Sequence, residues 1–220
     1  MSSNEVNSNK GYGKTSLIIF EELKKQILTS EILPGTQLKQ QSIAEKFNVS
    51  SIPVREAIKH LEAAGLVDVV QRRGAIVKSM DINEILRMND IRYNIEPLAL
   101  SWAIPNLVPE EIDKVRKLNE KNLHEEDSVQ RVQRNKEIHL TLLRPAHFEP
   151  LIKFIESLYN GMILCAQIQV LLESDKETAF AEHEKIIGYC EKFQVHEACS
   201  SLKDHISNAR LRLNKVKRKL

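Results

Sequence analysis

LPGTQLKQQSIAEKFNVSSIPVREAIKHLEAAGLVDVVQRRGAIV, residues 33–77, changes its hydrophobic period once, and that change decides the fold. Leu33-Pro34-Gly35-Thr36 is a turn, because Pro presets the first central position and Gly takes the positive φ that the second requires. A short helix follows over residues 40–47 and ends at Asn48, a residue suited to a left-handed cap. Ser50 is placed to N-cap the next helix, with Pro53 in its first turn, where a missing N–H costs little. That helix runs to Ala64 and closes at Gly65. The period then drops to two. Leu66-Val67-Asp68-Val69-Val70 and Ala75-Ile76-Val77-Lys78 flank Gln71-Arg72-Arg73-Gly74, which reads as a hairpin with an arginine-bearing tip.

Upstream, Ile19, Phe20, Leu23 and Ile27 recur at helical spacing, so a helix is expected to start near Thr15. Residues 1–13, dominated by Ser, Asn and Gly, read as a disordered leader. The order helix, helix, turn, helix, hairpin is that of a winged helix-turn-helix. Its third helix divides into two faces. Val54, Ala57, Ile58 and Leu61 form a core side, whereas Ser51, Arg55 and Lys59 form a partly basic outward strip. Such a strip at a helix N-terminus suits a phosphate backbone. It is equally compatible with an ordinary solvated face on which Arg55 pairs with Glu56 or Glu62.

After Asp81 the pattern is helical throughout, with helices expected over 82–104, 109–124, 128–143, 148–173, 175–193 and 195–217. Pro97 should kink the first, and Pro105, Pro109, Pro145 and Pro150 mark the breaks. The fold class is therefore mainly α: a leader (1–13), a winged helix-turn-helix (14–80) and an all-α helical bundle (81–220).

Composition agrees with a soluble two-part chain: 220 residues, 42% hydrophobic and 28% charged. The longest apolar stretch, residues 157–172, is broken by Asn160, Gln167 and Gln169, so no membrane span is expected. The polar N-terminus lacks a secretory core, which argues for a cytoplasmic protein. Cys165, Cys190 and Cys199 are an odd count in helical context and are expected to be reduced thiols. Aromatic residues, at 5%, are too sparse for stacking several nucleobases. Residues 1–80 hold 11 Lys and Arg against 8 Asp and Glu, a mild basic excess that permits a nucleic-acid-binding front half without establishing it.

Residues 33–77 resemble the DNA-binding domain of GntR-family bacterial transcription regulators. The match lies in Leu33-Pro34-Gly35-Thr36, Ile43-Ala44-Glu45, Val49-Ser50, Pro53-Val54-Arg55-Glu56-Ala57, Leu61-Glu62, Gly65-Leu66-Val67 and Gly74. The resemblance implies a homodimer whose recognition helices enter successive major grooves of a pseudo-palindromic double-stranded operator, with wing tips at the minor groove. Ser50 and Arg55 match positions that contact the DNA backbone, and Arg73-Gly74 matches the wing tip. Two positions depart from the family. Ser51 stands where Arg is usual, and Gln41 where Arg or Glu is frequent. Both positions often help to read bases, and an Arg–guanine contact is worth about 1–3 kcal/mol of discrimination.

The helical half resembles the FCD effector domain of the FadR-type subfamily in its short six-helix form, most clearly along Asn89-Asp90-Ile91-Arg92-Tyr93-Asn94-Ile95-Glu96-Pro97-Leu98-Ala99. Of the seven His, His139, His183 and His205 have apolar helical neighbours, whereas His60, His124, His147 and His196 read as surface or loop residues. A lone His of the first kind is ordinarily a hydrogen-bonded core residue. The FCD resemblance instead implies a divalent metal, zinc or nickel, held by Asn135, His139, His183 and His205, with Asn135 replacing the family's Asp. An amide oxygen in place of a carboxylate should weaken that site. Asn135 and His139 share a helix face at i, i+4. Arg92 is a candidate for binding a small carboxylate metabolite, or else pairs with Glu96 on an exposed face.

The sequence therefore reads as a DNA-binding transcription regulator, in the first instance a repressor, controlled by a small organic acid and not an enzyme. Two alternatives remain open: a helical metal-dependent enzyme fused to a DNA-binding head, and a DNA-binding module whose helical part only dimerises.

Overall fold

The computed structural model describes residues 4–29, 31–70, 74–164 and 176–217. The chain divides into two compact units, Met1–Ser79 and Met80–Leu220.

The first unit is a winged helix-turn-helix. Helix α1 (Asn4–Leu28) packs on α3 (Ser51–Ala63), and α2 (Gln40–Phe47) packs on α3 from another side. Ile19, Leu23, Ile27, Val54, Ala57, Ile58 and Leu61 are all buried, so the apolar spacing of α1 and α3 becomes this unit's core. Thr36 N–H closes the turn onto Leu33 O at 3.1 Å, and Gly35 takes the required positive φ of 82°. Asn48 caps α2 in the left-handed region at φ 52°. Ser50 occupies the N-cap of α3 but its side chain makes no capping hydrogen bond.

The hairpin pairs β2 (Val67–Val70) with β3 (Gly74–Val77) in antiparallel register, Val70 opposite Gly74. A third strand, β1 (Gln37–Leu38), joins the other edge of β3, with Gln37 opposite Ile76. Two residues are too few to show alternation, so only the pairing itself reveals this strand. Gly74 enters β3 at φ 77°, a conformation costly for any residue with a Cβ. Gln71, Arg72 and Arg73 lie outside the described residues.

Helix α1 begins at Asn4, well ahead of the start near Thr15 expected from apolar spacing. Residues 4–13, read from sequence as a disordered leader, continue its backbone. No Pro interrupts them, and adding residues to an existing helix is far cheaper than nucleating one.

The second unit is all-helical: α4 (Ile82–Ala103), α5 (Pro109–Leu123), α6 (Ser128–Leu143), α7 (Glu149–Ile163), α8 (Lys176–Glu191) and α9 (Val195–Lys217). Asp81 opens α4 with a capping box, its carboxylate accepting from Asn83 and Glu84 N–H while Glu84 reaches back to Asp81 N–H. Helix α4 packs on α9, α7 and α6; α5 packs on α6 and α8. Helix α4 runs through Pro97 without a break. Helix α7 ends at Ile163, where Leu164 N–H turns back to Gly161 O at 3.1 Å. This is ten residues short of the expected end at 173, and residues 165–175 lie outside the described ones. No helix among the described residues is long and apolar enough to cross a membrane. Cys190 is a buried free thiol pushed up to about 12 by burial, and Cys199 is a second free thiol. Cys165 falls outside the described residues.

Candidate nucleic-acid interface and metal centre

On the first unit, α3 presents Ser51, Ile52, Arg55, Glu56, Lys59 and His60 to solvent. Lys59 is paired with Glu56 at 2.9 Å. The expected competitor pairings of Arg55 with Glu56 or Glu62 do not form, and Arg55 makes no hydrogen bond or ion pair among the described residues. Because the Ser50 side chain does not cap α3, the first-turn N–H groups lack that partner, and they carry the positive end of the helix dipole. Gln41 is exposed on α2 and donates to Glu45 Oε1 at 3.3 Å. Gly74 sits at the start of β3, and Arg73 lies outside the described residues.

In the second unit α6, α8 and α9 each carry one His inward. His139, His183 and His205 are all buried, with one ligand atom from each lying within 4.8 Å of the others. By contrast, His60, His124, His147 and His196 are exposed. Each buried ring is held by its Nδ1. His139 donates to Glu96 Oε2 at 2.8 Å, His183 to Asn119 Oδ1 at 3.0 Å and His205 to Glu182 Oε2 at 2.7 Å. The acceptors leave no choice of tautomer. Two are carboxylates, and the Asn119 amide nitrogen already donates to Phe180 O and Glu184 Oε1, which makes its oxygen the acceptor. All three rings therefore turn an Nε2 lone pair inward. His139 and His183 Nε2 are 3.4 Å apart, two lone pairs that repel unless a cation lies with them.

Protonation does not relieve that repulsion. Burial, reinforced by the neighbouring His205, pulls His139 down to about 4 against the opposing pull of Glu96. Burial and the other two imidazoles push His183 well below the ordinary histidine range. Three imidazoles with convergent nitrogens, each backed by an acceptor on its far side, fit a borderline divalent cation.

Glu96 ties this cluster to Arg92. It is fully buried and accepts from Arg92 Nε at 2.5 Å as well as from His139. Burial raises its carboxyl, but Arg92 and His139 outweigh that and hold it at about 2. Arg92 donates further to Asn89 Oδ1 (3.1 Å), to Met162 Sδ (3.3 Å) and to the Tyr159 hydroxyl. The Arg92–Glu96 pair thus exists, but in the interior and not on the exposed face expected for it. Sequence reading had no means of assigning Glu96, Asn119 and Glu182 as imidazole partners, because they sit 43, 64 and 23 residues from their His.

Beside the cluster is a cavity of about 70 Å³ lined in part by Arg92, Asn135, Tyr159 and His205. That is space for the centres of about five waters. Asn135 is half-buried on its wall.

A small sheet-edged helix-turn-helix joined to a helical domain with a buried three-histidine centre defines a class of bacterial regulators. Residues 15–77 match the family described as "Bacterial regulatory proteins, gntR family", and residues 87–208 match the "FCD domain". The chain belongs to the GntR family of transcription regulators, in the branch that carries an FCD domain. It is 25% identical over 196 residues to an uncharacterised HTH-type transcriptional regulator of Bacillus subtilis, YdhC, covering 87% of this chain and 88% of that one. It is 27% identical over 150 residues to the HTH-type transcriptional regulator McbR of Escherichia coli, covering 67% and 68%. The solved structure of E. coli McbR/YncC shares the fold, with a TM-score of 0.77 at 21% identity over 91% of this chain and 97% of that one.

Proposed function

We propose that this regulator is a cytoplasmic homodimeric repressor. On this reading residues 14–80 bind a pseudo-palindromic operator, and residues 81–220 dimerise and sense a small carboxylate metabolite beside a zinc or nickel ion. The three inward Nε2 lone pairs carry the metal part of the proposal. His139, His183 and His205 would hold the ion, with the Asn135 amide as a weak fourth oxygen ligand. When bound, the ion supplies a positive centre that accepts a carboxylate oxygen. Arg92 faces the same cavity, where its guanidinium, already anchored by Glu96, presents its remaining N–H to a ligand.

At the DNA, the exposed Arg55 and the Ser50 end of α3 position the helix against phosphates, with Arg73-Gly74 at the minor groove. Ser51 and Gln41 lie on base-facing positions and are short or neutral, so base readout is modest. Acid binding shifts the dimer between operator-competent and incompetent arrangements by about 1–3 kcal/mol. Selection of random duplexes by the purified protein should return a two-fold symmetric site, and elemental analysis should find zinc or nickel. A selected site without symmetry would refute the dimeric reading. A metal-free protein that takes up neither ion would refute the metal site.

A further inference from the structure

The cavity wall carries further cations beside the histidine cluster. Four cations line it, Arg92, Arg131, Lys176 and Arg212, together with Asn89, Asn119, Asn122 and Asn135, and among the described residues no Asp or Glu lines it. The carboxylates that touch the cluster are Glu96 and Glu182, and each already engages one His and one Arg.

The placement of three of these cations is regular. Arg131 precedes His139 by eight residues on α6, Lys176 precedes His183 by seven on α8, and Arg212 follows His205 by seven on α9. Spacings of seven and eight return each cation to the cavity side of its own helix. They also lie at one end of the bundle. Helices α8 and α9 pack together and are joined by a short turn, so the start of one lies beside the end of the other. Lys176 Nζ donates to Glu125 O at 2.8 Å, just ahead of α6, which brings the start of α6 to the same end. The Cα atoms of these three cations therefore stand about 10.5–12 Å along the helices from those of the three imidazoles, at 1.5 Å of rise per residue, and the Arg212 side chain reaches back to Glu182, which also holds His205.

Among the described residues, two side-chain amide atoms on this wall have no partner, Asn89 Nδ2 and Asn122 Oδ1, and Asn89 is wholly inaccessible. A buried orphan donor and acceptor facing one cavity call for a polar ligand.

We infer that the cavity selects a small dicarboxylate, one acid group directed to the histidine cluster and the other to Arg131, Lys176 and Arg212. The long Lys and Arg side chains span much of that separation, which leaves room for an acid of a few carbons. A second acid group meeting several cations in a confined site forms charge-assisted hydrogen bonds, roughly twice as strong as neutral ones. This inference rests on the small-acid reading above and adds the second subsite to it.

Calorimetry on the metal-loaded full chain tests it, with succinate and glutarate set against butyrate, valerate and inorganic phosphate. The dicarboxylates should bind at least tenfold tighter than the monoacids of equal chain length. That preference should fall below threefold in Lys176→Met and Arg131→Met, with melting curves confirming that both variants fold. Equal affinity for succinate and butyrate would overturn the second subsite while leaving the small-acid reading standing. Tighter binding of phosphate than of either dicarboxylate would overturn the dicarboxylate assignment. No binding of any probe would overturn both readings.

Discussion

Replacing Glu96 by Gln removes one negative charge from the interior and little volume. At pH 7 the carboxylate is fully buried between Arg92 and His139. A carboxyl held at about 2 in place of 4.5 favours the ionised native state by about 3 kcal/mol, at 1.36 kcal/mol per pH unit. The substitution also strands the Arg92 guanidinium, and breaking a buried pair from one side costs about 3–5 kcal/mol. The two routes converge on a loss of about 3–5 kcal/mol from a domain whose whole stability is about 5–15 kcal/mol. Urea unfolding of the metal-free protein would read this as a midpoint lowered by about 1.5–2.5 M for a slope near 2 kcal/mol/M. The double substitution Glu96→Gln with Arg92→Met should recover much of the loss, because it removes the stranded cation as well. Zinc affinity of the single variant should fall about 10–100-fold, since His139 loses its charged orienting partner. A destabilisation under about 1 kcal/mol, or a double variant no more stable than the single one, would refute the buried-pair account.

Asn135→Asp should raise zinc or nickel affinity by placing a carboxylate on the helix turn before His139, while His183→Ala should abolish binding; titration calorimetry on both decides this, and an unchanged affinity in Asn135→Asp removes Asn135 from the site. Arg55→Ala should weaken operator binding across sequences and lower the salt slope by about one, and Arg73→Ala should cost affinity with the melting temperature preserved. A changed base preference at constant salt slope would instead make Arg55 a base reader. The metal-free protein should lose stability as pH falls from 6.5 towards about 4, because buried His139 stays neutral there while its unfolded counterpart takes up a proton. Glu96 adds its own loss only between 4.5 and about 2. A melting temperature flat from pH 7 to 4.5 would contradict the burial of neutral imidazoles.

Local chemistry determined much of this protein before any tertiary contact was known. The turn at Pro34-Gly35, the cap at Asn48, the two faces of α3 and the switch to period two at Val67 depend on residues within a few positions of one another. Dihedral preference and side-chain period are local properties, so they were legible. The same holds for the i, i+4 pairing of Asn135 with His139, and the resemblance of the helical half marked His183 and His205 as their partners. The sequence could not show what each imidazole leans on. Glu96, Asn119 and Glu182 come from other helices, and nothing in their own neighbourhoods distinguishes them from solvated polar residues. Arg92 and Glu96 illustrate the limit: i, i+4 spacing announced the pair, but whether it lies in water or in the interior depends on α6, α7 and α9 closing over α4. Tertiary packing likewise decided that a two-residue strand at Gln37 exists and that Arg131, Lys176 and Arg212 share one end of a cavity. These are consequences of burial, which is a property of the assembled helices and of no single segment.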